Sequence, residues 1–224
     1  MDNRGFSRLL LFAIFAIFCW INGEEIHVAI DAEYPPYEFV GENGVIAGFI
    51  PELLAEIEKS SNFTFILHPM SWPEAVESLN IGTIDLISMI YTEERTNQYI
   101  FSEPHSRIDQ SIFINSDHPH LITKDDIKTH SIALQKNDIS YEQFYSGIDS
   151  LIQIVDTKRE GFHLLQLGEV YAFVTATQPG LYLLKQYDLE NIAISQVGLF
   201  PQNFCFASIK NNTTLINTIN EQLV

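Results

Sequence analysis

Apolar and polar positions alternate with two different periods along this chain, and the period changes at nearly every turn signal. EIHVAIDAE, residues 25–33, alternates with period 2 and predicts a strand. FIPELLAEIEKSSN then places Ile50, Leu53, Leu54 and Ile57 on one helical face, with Pro51 in the first turn, where a missing N–H is tolerated. FTFILHP predicts a strand ended by Pro69. SWPEAVESLNIG predicts a helix with Ser71 as N-cap, Pro73 in its first turn and Gly82 at its stop. TIDLISMIY is continuously apolar, as a strand covered on both faces would be.

This β, α, β, α, β order with short connections predicts a parallel, helix-covered sheet. The grammar starts again after FSEPHSRIDQSIFIN. HSIALQK, LIQIVD and VYAFVTA read as strands. DISYEQFYSG reads as a short helix that Asp138 could cap, TKREGFHLLQLG as a helix with Thr157 as N-cap, and QPGLYLLKQYD as a third helix. No short-period repeat is present, which excludes a solenoid. Two α/β lobes joined by direct strand crossings are therefore expected. TTLINTINEQLV predicts an amphipathic helix without a C-cap or polar tail, so the chain is expected to continue past Val224.

Composition adds three constraints. Hydrophobic residues make up 46% of the 224, enough for a sizeable core. The N-terminal segment carries Arg4 and Arg8 and then an uninterrupted apolar run from Leu9 to Ile21, the layout of an export signal, so residues 1–23 read as a signal peptide or N-terminal membrane anchor. Without them 10 basic and 28 acidic residues remain, a formal charge of −18. Nucleic acid is excluded as a partner, because it requires clustered Lys and Arg. Cys205 is the single cysteine outside the leader, so no disulfide framework exists and the fold rests on its core, with Cys205 read as a buried apolar residue.

The order and spacing of YPPYEF, GFIPELL, SWPEAVESLNIGTIDLI and TEERTNQYIFSEP make the chain similar to the family 3 extracellular solute-binding proteins, from about Ile26 to its end. The second half, through IALQKNDISYE, VDTKREGFHLLQLGEVYAFV, PGLYLLKQYDLENI and NFCFASIKNN, resembles the branch of that family that serves as sensor domains of membrane histidine kinases and cyclic-dinucleotide synthases. The resemblance implies a two-lobed type II periplasmic binding fold, each lobe a mixed, mainly parallel sheet flanked by helices. Lobe 1 would comprise residues 24–109 plus 204–224 and lobe 2 residues 110–203. A small, carboxylate-bearing solute would be held in the cleft between them.

The resemblance also implies the site. Family members grip an α-carboxylate with an arginine at the position of Arg95, and a guanidinium supplies the planar donor fork that a bidentate grip needs. The bland alternative for Arg95 is a surface residue pairing with Glu93 or Glu94. Tyr34 and Trp72 match the aromatic walls, which exclude water and accept a cationic amine; Tyr37 and Phe39 are expected to pack the lobe. Ser88 matches a position that offers a hydroxyl or carbonyl, and Asn137 and Asp138 stand at a helix start in lobe 2. The chain departs from the pattern at Ile90, where a Ser or Thr is usual. It departs again at Thr175, Ala176 and Thr177, where an acid for an α-amino group is usual. A buried ammonium without a carboxylate is costly. An organic acid, a modified amino acid or a less polar solute is then expected, with Thr175 in the site; the same departure fits a sensor that signals by closing without a ligand.

Enzymatic motifs are missing: there is no HExxH, GxSxG, GxxxxGK[ST] or GxGxxG, and His118 and His120 in SDHPH stand alone in a loop. The expectation is a non-catalytic exported domain that needs no cofactor or metal. Its partners would be a small-molecule ligand and either membrane signalling domains C-terminal to it or an ABC importer.

Overall fold

The computed structural model describes residues 23–117, 123–144 and 151–223. The leader expectation (residues 1–23) and the SDHPH histidines fall almost entirely outside them. In the first half the chain runs β1 (Glu24–Asp31), β2 (Glu33–Tyr34), β3 (Glu38–Val40), β4 (Ile46–Ala47), α1 (Phe49–Ser60), β5 (Phe63–Met70), α2 (Trp72–Asn80) and β6 (Ile87–Ile90). A 3-10 turn at Arg95–Asn97 leads into the long β7 (Tyr99–Asn115). The second half holds β8 (Ile132–Gln135), α3 (Ile139–Phe144), β9 (Ile152–Val155), α4 (Lys158–Gln166), β10 (Ala172–Ala176) and α5 (Thr177–Gln186). The equally long β11 (Ile192–Ile209) returns to the first half, and α6 (Thr213–Gln222) closes the described chain.

β1 pairs with β5 in parallel and touches Leu86 through a parallel bridge at Val28. The apolar face predicted for α1 is buried at Ile50, Leu54 and Ile57, and it packs on Val28 and Ile30 together with Leu215, Ile216 and Ile219 of α6. The opposite face of this half is closed by α2, whose Trp72, Ala75, Val76 and Leu79 meet Ala29, Met89 and Tyr99. In the second half β10 lies between β7, antiparallel, and β8, parallel, with β9 outside β8. Phe162 and Leu183, from α4 and α5, cover Phe113 and Phe173 of this sheet. Gly161 permits that approach, because a Cβ there would lie 2.6 Å from the Phe173 ring.

β7 and β11 run antiparallel from Tyr99 opposite Ile209 to Asn115 opposite Ile192, with register shifts on the way. They are the two crossing strands that join the halves, and the fold is the two-lobed α/β architecture that the pattern and the resemblance imply.

Four local expectations are corrected. Pro69 does not end its strand: among the described residues β5 is an edge paired with β1 alone, where a residue without an N–H is tolerated. Ser71 precedes α2 as expected, but its hydroxyl makes no capping bond. The strand in TIDLISMIY is confined to Ile87–Ile90. Phe39 does more than pack its own lobe, because its ring lies 5.6 Å from that of Tyr182 in the other half, tilted by 47°. Thr157 does cap α4, accepting from the Glu160 N–H at 3.2 Å, and Cys205 is buried.

Candidate functional site

The ends of β1 and β6 and the start of β3 face the N-terminal turns of α3 and α4 across the gap between the halves. The first half contributes Asp31, Tyr34, Glu38, Trp72, Ile90, Arg95 and Phe204; the second contributes Asp138, Ile139 and Lys158. The space they enclose is tight: about 20 Å³ of it admits the centre of a water-sized sphere, room for about one water. On the far side of Arg95 a wider crevice of about 420 Å³ opens between Asn80, Gln98 and Tyr99 on one side and Lys136, Asn137 and Glu142 on the other. Arg95 is therefore a wall between an inner cavity and an outer one.

Among the described residues two ion pairs span the gap. The Arg95 backbone N–H donates to Thr92 Oγ1 at 3.1 Å, which sets the turn that aims the side chain inward. Its guanidinium is 7% exposed and donates in three directions: to the Ile90 carbonyl at 2.9 Å, to the Asn137 carbonyl at 2.9 Å, and to Glu142 from Nε at 2.8 Å and NH2 at 2.6 Å. The pairing partner is thus a carboxylate in the other half, and Arg95 is not the surface residue that neighbouring Glu93 and Glu94 would have made it. Burial holds the Glu142 carboxyl above the usual carboxylate range, with Arg95 pulling the other way.

The second pair lies deeper. Lys158 Nζ donates to Asp31 Oδ2 at 3.1 Å, with side chains 1% and 5% exposed, and sits 4.6 Å from the centroid of the Tyr34 ring. Glu38 lies in the same pocket of charge. Burial first, then the Asp31 carboxylate, push its pKa well up, while Lys158 opposes them. Its charged form is therefore disfavoured relative to that of an exposed glutamate. Burial and then the Asp138 carboxylate raise the Tyr34 phenol in the same way.

Of the residues singled out in the sequence, Arg95, Tyr34, Trp72 and Asp138 come together on the inner cavity. Trp72 Nε1 is buried without a hydrogen-bond partner among the described residues. Asp138 Oδ1 accepts from the N–H and hydroxyl of Ser140, at 2.9 and 2.6 Å, capping α3 as the sequence suggested. Asn137 lines the outer crevice, with a backbone φ of 61° that turns its carbonyl onto Arg95. Ser88 and Thr175 are buried in β6 and β10, their hydroxyls unpartnered among the described residues, and neither lines the inner cavity.

Asp31, Glu38, Glu142 and Lys158 were not found from the sequence, although three left a trace. Asp31 is an acid closing an apolar strand, and Glu38 is an acid between Tyr37 and Phe39. Lys158 is a cation in the first turn of a helix, where the backbone dipole favours anions. These acids also answer the departure at Thr175–Thr177: Asp31, Glu38 and Asp138 supply carboxylates to the cavity from elsewhere. Thr177 itself is engaged with Ser111 and Asp109. No cluster of three or more metal-ligating side chains occurs among the described residues.

Comparison with known proteins agrees with this architecture. Residues 26–224 match the bacterial extracellular solute-binding proteins, family 3. The L-cystine-binding protein TcyJ of Escherichia coli strain K12 is 23% identical over 203 residues, which span 88% of this chain and 75% of that protein. A probable histidine-binding protein of Neisseria gonorrhoeae is 28% identical over 94 residues, 41% of this chain and 35% of that one. Among solved structures, a histidine kinase sensor domain with similarity to periplasmic binding proteins superposes with a TM-score of 0.86 at 26% identity, covering 90% of each chain. A mutant of arginine-bound ArgBP from T. maritima gives 0.81 at 26% identity, covering 89% of this chain and 94% of that one.

Proposed function

We propose, from the premise that this chain belongs to the family 3 extracellular solute-binding proteins and is a binding protein rather than an enzyme, that it captures an amino-acid-like or organic-acid solute in the cleft between its halves. Lobe 1 is taken as residues 24–109 plus 204–224 and lobe 2 as residues 110–203. The observation that carries this reading is the inner cavity, where two cations and several acids from both halves converge between the aromatic faces of Tyr34, Trp72 and Phe204.

In this reading a ligand carboxylate takes the place of Glu142 on Arg95, which keeps its bonds to Ile90 and Asn137. The exchange replaces one carboxylate by another in the same fork, so no guanidinium donor is left bare. Tyr34 and Trp72 wall the ligand, and Asp138 faces its amine. A ligand bound to both halves favours the closed arrangement by as much as it binds that arrangement better.

The domain is exported, by the leader that residues 1–23 encode. Its role is sensory: it passes cleft closure through α6 to membrane signalling domains. The fit to a histidine kinase sensor domain over 90% of both chains supports that role. The alternative is delivery of solute to an ABC importer, favoured by the similarity to L-cystine-binding TcyJ. A reading frame that continues past Val224 into a membrane helix and a kinase or cyclase domain decides for the sensor; a stop codon shortly after Val224 decides for the importer.

The binding test is a thermal-shift panel of amino acids and small carboxylates. A ligand at 100 times its Kd stabilises by about 2.7 kcal/mol. Arg95→Ala is expected to weaken the best hit by about tenfold or more, the equivalent of about 1.4 kcal/mol. A hit that stabilises Arg95→Ala undiminished removes Arg95 from the site, and a panel without any hit removes the ligand class.

A further inference from the structure

We propose that Lys158 is a tethered occupant of the cleft: its ammonium fills a cation position built by the opposite half, and a soluble cation reaches that position only by displacing it. The inference rests on the solute-binding reading above and concerns which part of the cleft a free ligand must win.

Lys158 is the first residue of α4, where the exposed N–H groups and the helix dipole disfavour a cation. A buried ammonium is costly unless it is paired. Among the described residues its own half does not supply the pairing. The side chain instead crosses the gap and is held wholly by the first half, by Asp31 Oδ2 at 3.1 Å and by the face of Tyr34 at 4.6 Å. A carboxylate beside an aromatic face is the arrangement that binds small ammonium ligands from solution. Glu38 stands beside this position, 2% exposed, with Oε2 unpartnered among the described residues, a further polar atom available to a cation there.

The position is also the interior end of the same cavity that Arg95, Trp72 and Asp138 line, and with Lys158 in it the remaining space suits about one water. The half that would otherwise meet a ligand's amine already holds one, carried by the protein. A ligand with an ammonium or guanidinium group competes with Lys158 for Asp31 and Tyr34. A ligand with a carboxylate alone competes with Glu142 for Arg95 and leaves Lys158 in place.

The experiment removes the occupant and offers it back in solution. Lys158→Ala deletes the side chain beyond Cβ, and n-propylammonium chloride has the atoms deleted. Propylammonium is expected to raise the melting temperature of Lys158→Ala saturably in the millimolar range and to leave the wild type unmoved. Equimolar n-propanol and sodium chloride are expected to do neither, and a second change, Asp31→Asn, is expected to abolish the effect. An equal response in wild type and variant, an equal response to n-propanol, or no response in a folded Lys158→Ala overturns the proposal.

Should Lys158→Ala not fold, reductive methylation of the wild type with peptide mass spectrometry decides. Lys158 is expected to react about 100-fold more slowly than the exposed Lys59, because it reacts only when the cleft opens; comparable rates overturn the proposal. A panel ligand carrying an ammonium that binds wild type and Lys158→Ala with the same affinity keeps the solute-binding function and removes the tethered occupant. Rescue by propylammonium with no panel ligand for either protein does the reverse.

Discussion

The two ion pairs that bridge the halves use the same chemistry in different surroundings. Lys158–Asp31 is sealed, with both side chains at 5% exposure or less. In Arg95–Glu142 the arginine is buried, but Glu142 keeps 27% of its side-chain surface and borders the wider crevice. Arg95 also has two carbonyl partners, so its charge is not supported by Glu142 alone. Among the described residues Lys158 has one carboxylate and one ring face. Deeper burial makes the inner pair the harder of the two to displace, whereas the outer pair exchanges readily. A ligand carboxylate enters at the exchangeable end.

That contrast breaks first at Asp31. Asp31→Ala strands a buried ammonium and is expected to destabilise the protein by about 3–5 kcal/mol in urea unfolding. A loss below about 1 kcal/mol would mean that Lys158 escapes to solvent and the two pairs are alike. Acid exposes the wall behind the cavity. His105, whose ring lies 5.0 Å from Phe204 and 4.7 Å from Phe206, is lowered by burial to about 4, below its ordinary 6.5. The unfolded chain therefore takes up a proton that the folded one refuses. Stability from this group is complete above pH 6.5 and falls towards pH 4, by about 2–3 kcal/mol. His105→Leu is expected to flatten that limb, and an unchanged slope would place the titration elsewhere.

Glu142→Gln sharpens the comparison from the other side. It removes the counter-charge of an arginine that keeps two carbonyl acceptors, and is expected to cost about 1–2 kcal/mol, clearly less than Asp31→Ala. The same variant is expected to bind the best carboxylate of the thermal-shift panel more tightly than the wild type, since the ligand no longer displaces a charged competitor. Thr157→Ala loses the cap that begins α4 and positions Lys158, for about 1 kcal/mol. At the bottom of the scale stands Lys59–Glu56, an i,i+3 pair 68% and 69% exposed. Lys59→Ala is expected to change stability by no more than a few tenths of a kcal/mol.

Much of the fold was legible because it depends on local periodicity. The helical faces of α1 and α6, the Thr157 cap and the order of strands follow from residues within a few positions of each other. The small strands β3 and β4 and the full length of β11 were not legible. Two- and three-residue strands carry no period, and β11 changes register and surroundings as it crosses from one half to the other. In the site, Tyr34, Trp72, Arg95 and Asp138 were identified through motifs and reach the inner cavity. Asn137 lines the outer crevice, and Ser88 and Thr175 lie in strands behind the cavity wall.

The chain by itself determined its α/β grammar, its family and an arginine suited to a carboxylate, because each is written in spacing and residue type. Tertiary structure decided which charges meet. Asp31 and Lys158 are 127 positions apart, and Arg95 and Glu142 are 47 apart. A pairing at that separation exists only once the crossing strands bring the two halves together and water is removed from between them. Desolvation is what turns an ordinary lysine in a helix's first turn into a buried cation that must find its partner across the cleft.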